Sequence, residues 1–201
     1  MSELWTFIQL GFHHITNLDA KDHILFLLAL AAIYRIRDWR DTLWVISAFT
    51  IGHSVTLVFA VTGALRLPSP LIEFVIPVTI VATCIENLLV RDHKVALWGG
   101  RYRPIFAGVF GLVHGAGFAG YLQNLFMDHI AIPLFGFNLG IELGQLAVLS
   151  LTFAAIVVVD LTIRRLSLAP FRVAPVRLRV VVLSSVVLIV AARWAVERSP
   201  W

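Results

Sequence analysis

The side chains that could do chemistry sit inside apolar runs. His114 lies in the stretch Phe110-Gly111-Leu112-Val113-His114-Gly115-Ala116-Gly117-Phe118-Ala119, near the middle of a segment long enough to cross a bilayer. An ionisable group at that depth costs about 2.5–3.5 kcal/mol on insertion scales, so it must face a bundle interior or a wet cavity and find partners there. Gly108, Gly111, Gly115 and Gly117 remove bulk around it and let a neighbouring helix or a ligand approach the backbone. His53 occupies a second run, with Thr50 and Ser54 at helical spacing, and Asn138, Glu142 and Gln145 share one face of another. His14, Asp19, Asp22 and His23 cluster near the start of the chain, and Glu73 lies one turn inside the same expected surface.

Imidazole nitrogen and carboxylate oxygen together suit a borderline divalent metal ion such as Ni, Co, Zn or Cu(II), and two methionines with one cysteine argue against a soft Cu(I) site. A lone histidine on an apolar face is more often a satisfied core residue. Histidines and carboxylates converging from several segments are harder to explain as interhelical hydrogen bonding, which is worth only about 0.6 kcal/mol per bond. Ser54 beside His53 is not a nucleophile–base pair, because adjacent residues on a helix do not face each other.

The elements that position these groups follow from composition. The chain has 201 residues, of which 59% are hydrophobic and 14% charged, against about 45–50% and 25% for soluble domains. This pattern predicts an all-α, polytopic transmembrane helical bundle, with about six crossings at roughly 20 residues each. It forms one integral membrane domain, 1–201, with the lipid bilayer as its solvent. Residues 1–20 are too polar to span and suit an interfacial or re-entrant helix, and they lack the basic start and cleavage site of a signal peptide. The crossings are expected at 22–37, 42–65, 69–90, 104–126, 130–163 and 180–196, the fifth being long enough to need tilt or a break. Pro104 is expected to start the fourth. No internal repeat or linker divides the chain on this reading, and Cys84 has no intramolecular disulfide partner.

The formal charge of +4 is no nucleic-acid footprint, since most basic residues lie in short connections between apolar runs, where they set topology or meet anionic lipid. Arg35, Arg37 and Arg40, then Arg91, Lys94, Arg101 and Arg103, then Arg164, Arg165, Arg172, Arg177 and Arg179 fall on one side. Only Lys21, Arg66, Arg193 and Arg198 fall on the other. The basic side is expected to be cytoplasmic, which leaves both termini extracytoplasmic. His53, His114, Asn138, Glu142 and Gln145 then lie near the midplane, below an outer mouth carrying His14, Asp22 and His23.

Four stretches carry a resemblance to a known family: Gly11-Phe12-His13-His14-Ile15 with Asp22-His23-Ile24-Leu25-Phe26-Leu27-Leu28; Phe49-Thr50-Ile51-Gly52-His53-Ser54-Val55-Thr56-Leu57; Phe110 to Ala119; and Phe137-Asn138-Leu139-Gly140-Ile141-Glu142-Leu143-Gly144-Gln145. In this order they resemble the HupE/UreJ family of bacterial membrane proteins, proposed to be secondary permeases for nickel or cobalt that supply hydrogenase and urease. The resemblance implies His14, Asp22, His23, His53, His114 and Glu142 as metal ligands, and an inner-membrane location. Two departures stand out. His14 is separated from Asp22-His23 by the seven residues Ile15 to Lys21, where hydrogenase-linked members have five, and Gly111 and Phe118 stand where a further histidine and a glutamate would align.

The expected function is therefore a membrane permease or metal-binding membrane protein for a divalent cation, more readily a carrier than an enzyme. Asn138, Gln145, Glu73, Ser54 and Thr50 would form a supporting shell. Without a phosphate-binding loop, ATP-driven pumping by this chain alone is not expected. An intramembrane zinc-dependent hydrolase and a non-metal assembly or scaffold protein are the alternatives. The sequence leaves the oligomeric state open, a homo-oligomer included.

Overall fold

Apolar runs interrupted by proline, glycine and charge become helices, because a backbone in hydrocarbon must satisfy its polar groups internally. The computed structural model describes residues 2–17, 21–65, 68–90, 102–123, 130–165 and 175–201. These form seven α-helices: α1 (Glu3–Thr16), α2 (Lys21–Ile33), α3 (Trp39–Val61), α4 (Ser69–Leu89), α5 (Tyr102–Gln123), α6 (Ala131–Arg165) and α7 (Pro175–Glu197). Among the described residues, α3, α4, α6 and α7 are long and apolar enough to cross a membrane. Asp19 lies outside the described residues.

Several boundaries differ from expectation for local reasons. Helix α2 stops at Ile33 rather than running to 37, because Arg35 is extended and its N–H donates to the Asp38 carboxylate at 3.2 Å. A 3₁₀ turn over Ile36–Asp38 follows, so α3 begins at Trp39, three residues before the expected start. Pro175 becomes the first residue of α7, where its missing N–H costs no helical bond. Pro104 falls inside the first turn of α5, not at its start. Helix α6 runs unbroken for 35 residues, about 52 Å at the standard rise, which is longer than a roughly 30 Å hydrocarbon core.

Basic side chains gather at one end of the bundle. There Arg103 reaches Glu86 and Asn87, and Tyr102 also bonds Glu86. Arg177 donates to the carbonyls of Asn87, Leu88 and Val90, while Arg179 donates to those of Ala32 and Tyr34. These two arginines, expected only to meet lipid and set orientation, close the C-terminal ends of α4 and α2. Asn87, fully buried, donates to the Ala29 carbonyl and meets Ser184, tying α4 to α2 and α7. Helices α3, α5 and α7 therefore start at this basic end, and α2 and α4 finish there.

The two most extensive interfaces are α3 with α5 and α1 with α6, and both are backbone against backbone. A Cβ built on Gly111 would stand 2.0 Å from the Phe49 carbonyl oxygen and 3.0 Å from the His53 nitrogen; one on Gly11 would stand 2.0 Å from the Phe137 oxygen and 3.0 Å from the Ile141 nitrogen. Conversely, Gly52 faces the Gly108 oxygen at 2.0 Å and the Leu112 nitrogen at 3.1 Å, and Gly140 faces the Ile8 oxygen at 2.1 Å and the Phe12 nitrogen at 2.8 Å. In each pair residue numbers rise together along the contact, so the helices run parallel.

The correspondence is one of constant register. Ile8, Gly11 and Phe12 of α1 map onto Gly108, Gly111 and Leu112 of α5, and Phe137, Gly140 and Ile141 of α6 map onto Phe49, Gly52 and His53 of α3. The chain thus contains an internal repeat, contrary to the sequence expectation. Its trace in the sequence is short: Gly-x-x-His at Gly11–His14 and Gly111–His114, and Phe-Thr-Ile-Gly at 49–52 against Phe-Asn-Leu-Gly at 137–140. Thr50 and Asn138 occupy equivalent places and both bond back to the carbonyl four residues earlier. Helix α6 starts at the end opposite the basic one, so the α1/α6 pair runs against the α3/α5 pair.

Helix α1 consequently lies along the first half of α6, tucked against the bundle with Gly11 and Ile15 buried. Its last turn reaches the level at which α2 begins, so α1 and α2 in succession cover the length that one long helix covers alone.

Candidate metal centre

Four helices send histidines to this level. His14 comes from the last turn of α1, His23 from the first turn of α2, and His53 and His114 from the halves of α3 and α5 remote from the basic end. Ring centroids are 4.7 Å apart for His14 and His23, 5.2 Å for His23 and His114, 6.1 Å for His14 and His53, and 6.4 Å for His23 and His53. Two sets of three ligand atoms lie within 4.8 Å of one another: His14, His23 and His53, and Asp22, His23 and His114. His23 belongs to both.

The hydrogen bonds leave nitrogen lone pairs directed inward. The Thr79 hydroxyl donates its single proton to the Ile76 carbonyl at 2.7 Å and lies 3.3 Å from His114 Nε2. Nε2–H must then donate to the hydroxyl, which places a lone pair on Nδ1. His23 Nδ1 faces Asp22 Oδ1 at 3.2 Å, so His23 carries its lone pair on Nε2. Both of these free nitrogens, His14 Nε2 and both nitrogens of His53 are buried without a hydrogen-bond partner. His53 has no solvent exposure and His114 has 1%. Leaving a buried polar atom unpaired costs about 1–3 kcal/mol, and a set of them in one place fits a cation that the nitrogens coordinate.

Aromatic rings wall the cluster off. Phe118 packs on His14 at 4.0 Å and stacks on Phe137 at 5.3 Å, while Phe49 lies 5.2 Å from His114 and 6.2 Å from His53. Such walls lower the local polarity and leave the histidines as the site's main donors.

The remaining expected site residues are elsewhere. Glu142 accepts a hydrogen bond from Ser47 at 2.7 Å and belongs to neither ligand set. The helical periodicity that put it on a face with Asn138 and Gln145 is correct, but that face meets α3 near Ser47, almost two turns from His53. Gln145 is buried and bonded to Thr50 at 3.0 Å. Ser54 donates to the Thr50 carbonyl at 2.6 Å, and Asn138 Nδ2 to the Leu134 carbonyl. Glu73 is exposed, because Ile72, Ile76 and Ile80 turn the opposite face of α4 inward. Thr79, which orients His114, was not singled out in advance; a threonine in the middle of an apolar run was its only signal.

Comparison with the curated proteins and comparison with the solved structures each returned no match. The family model described as HupE / UreJ protein matches residues 1–198. With its apolar helices and its His14–Asp22–His23–His53–His114 cluster, the chain is a membrane protein of the HupE/UreJ family.

Proposed function

We propose that this protein binds a divalent transition-metal ion at the histidine cluster and passes it across the membrane as a secondary permease. The observation that carries this reading is the convergence of buried His23, His53 and His114 with half-buried His14, from four helices, each with a ring nitrogen that is buried and unpartnered. An imidazole-rich set with one carboxylate selects Ni, Co, Zn or Cu(II) over Mg or Ca, and nickel or cobalt is the cargo to which the family resemblance points. Asp22 supplies negative charge at the cluster and orients His23. The basic end faces the cytoplasm by the positive-inside rule, so both termini lie outside it. A hydrolase would need Glu142 or Asp22 free to activate water; Glu142 accepts from Ser47 and belongs to neither ligand set, and Asp22 is engaged with His23, which supports carriage over catalysis.

The test is calorimetric titration of purified protein in nanodiscs with Ni²⁺, Co²⁺ and Zn²⁺, together with uptake into proteoliposomes. His53→Ala should lower affinity by at least the roughly 10–100-fold that disturbing even a supporting residue costs. Affinity should also fall on acidification, because protons compete with the ion for the same lone pairs. Equal affinity in wild type and a folded His53→Ala protein would remove the site.

A further inference from the structure

The repeat relates more than two glycine contacts. His14 and His114 occupy equivalent positions in α1 and α5, three residues after the glycine that locks each helix to its partner. Each ring faces the equivalent phenylalanine of the partner helix, His14 with Phe137 at 5.6 Å and His114 with Phe49 at 5.2 Å. The two pairs run in opposite directions, so the local relation between them is an inverted one, and the histidine cluster lies between them.

The contacts within and between the pairs differ in kind. Within a pair, glycine places backbone on backbone at separations that leave no room for a methyl group. Between pairs, everything described is side chain on side chain: His14 with His53, Phe118 with His14 and over Phe137, Ser47 with Glu142 and Thr50 with Gln145. Interlocked backbones resist sliding, whereas rings and flexible polar groups can exchange rotamers and partners at small cost.

We infer that α3/α5 and α1/α6 are two rigid bodies that rock against each other about the histidine cluster, exposing the cation site alternately at the basic end and at the opposite end. The inference rests on the carrier reading above and supplies its moving parts. Inverted repeats meeting at a binding site support this kind of motion, because exchanging the conformations of the two units interchanges the open side. His53 and Ile141 occupy equivalent places, so the α3/α5 unit carries one ligand more than its counterpart, and the ion stays with that unit as the other moves.

Spin-label distance measurements test this in nanodiscs after Cys84→Ala. The positions Trp5, Trp44, Phe59, Leu112, Ile132 and Leu151 are all exposed, so cysteines there leave the packing intact. Trp44 with Leu112 reports within α3/α5, and Trp5 with Leu151 within α1/α6. Phe59 with Ile132 and Trp44 with Leu151 report between the pairs, at the far end and toward the basic end. The within-pair distances should be single and unchanged by Ni²⁺ or Zn²⁺. The between-pair distances should each show two populations, with the metal shifting the two ends in opposite senses. Metal binding by calorimetry with one fixed distance at both ends would overturn the rocking alone. Two between-pair populations with no metal binding would overturn the site and leave the rocking standing. Within-pair changes as large as those between pairs would overturn the rigid bodies.

Discussion

The α3/α5 and α1/α6 pairs share one backbone packing and differ in what it carries. Gly52 and Gly111 lock the first as Gly140 and Gly11 lock the second, with near-identical separations. Yet the position of buried His53 in α3 is held by buried Ile141 in α6, and that of half-buried Ser54 by Glu142. The two pairs therefore keep apart two jobs that their shared motifs would merge. Glycines and phenylalanines at matching places build the scaffold, and the departures from equivalence build the site.

The largest expected effect breaks the scaffold on both sides at once. Gly11→Ala and Gly111→Ala each drive a methyl into a carbonyl, with no side chain able to move aside, so each should destabilise by about 3 kcal/mol or more. Gly117→Ala meets only the flexible tip of Ile76 at 3.0 Å and should cost far less. Thermal unfolding in detergent ranks the three; a mild Gly11→Ala beside a severe Gly111→Ala would mean that the pairs are not equivalent.

A smaller effect should separate stability from binding. His53→Ile installs the residue of the equivalent position and removes two buried unpartnered nitrogens. The melting temperature should hold or rise, since an unpaired buried polar group is costly, while metal affinity collapses. A large loss of stability would show that His53 is held by packing contacts that isoleucine cannot make.

The subtlest changes sharpen the border of the site. Thr79→Val deprives His114 of its orienting hydroxyl and should weaken metal binding about 10–100-fold, the range for groups that position a ligand. Glu142→Gln keeps an acceptor for Ser47 and should leave affinity within a few fold. Titration of both variants checks the pair, and a Glu142→Gln loss matching that of His53→Ala would return Glu142 to the ligand set.

The expected depths put His14, Asp22 and His23 at an outer mouth and His53 and His114 at the midplane, and the structure brings them to one level. Hydropathy and residue type were enough to read an all-helical chain and the ionisable residues inside its apolar runs. These are local properties: an apolar run long enough for a helix, and an ionisable residue inside it that needs a partner, are both visible one segment at a time. The tertiary structure alone decided that Glu142 turns to Ser47, that Glu73 faces outward, that Thr79 orients His114 and that α1 lies along α6. Each depends on the rotation of one helix about its axis relative to another, and periodicity defines a face without saying what it meets. The repeat was hidden for a related reason, since only the few residues in backbone contact keep their identity while their neighbours follow different surroundings.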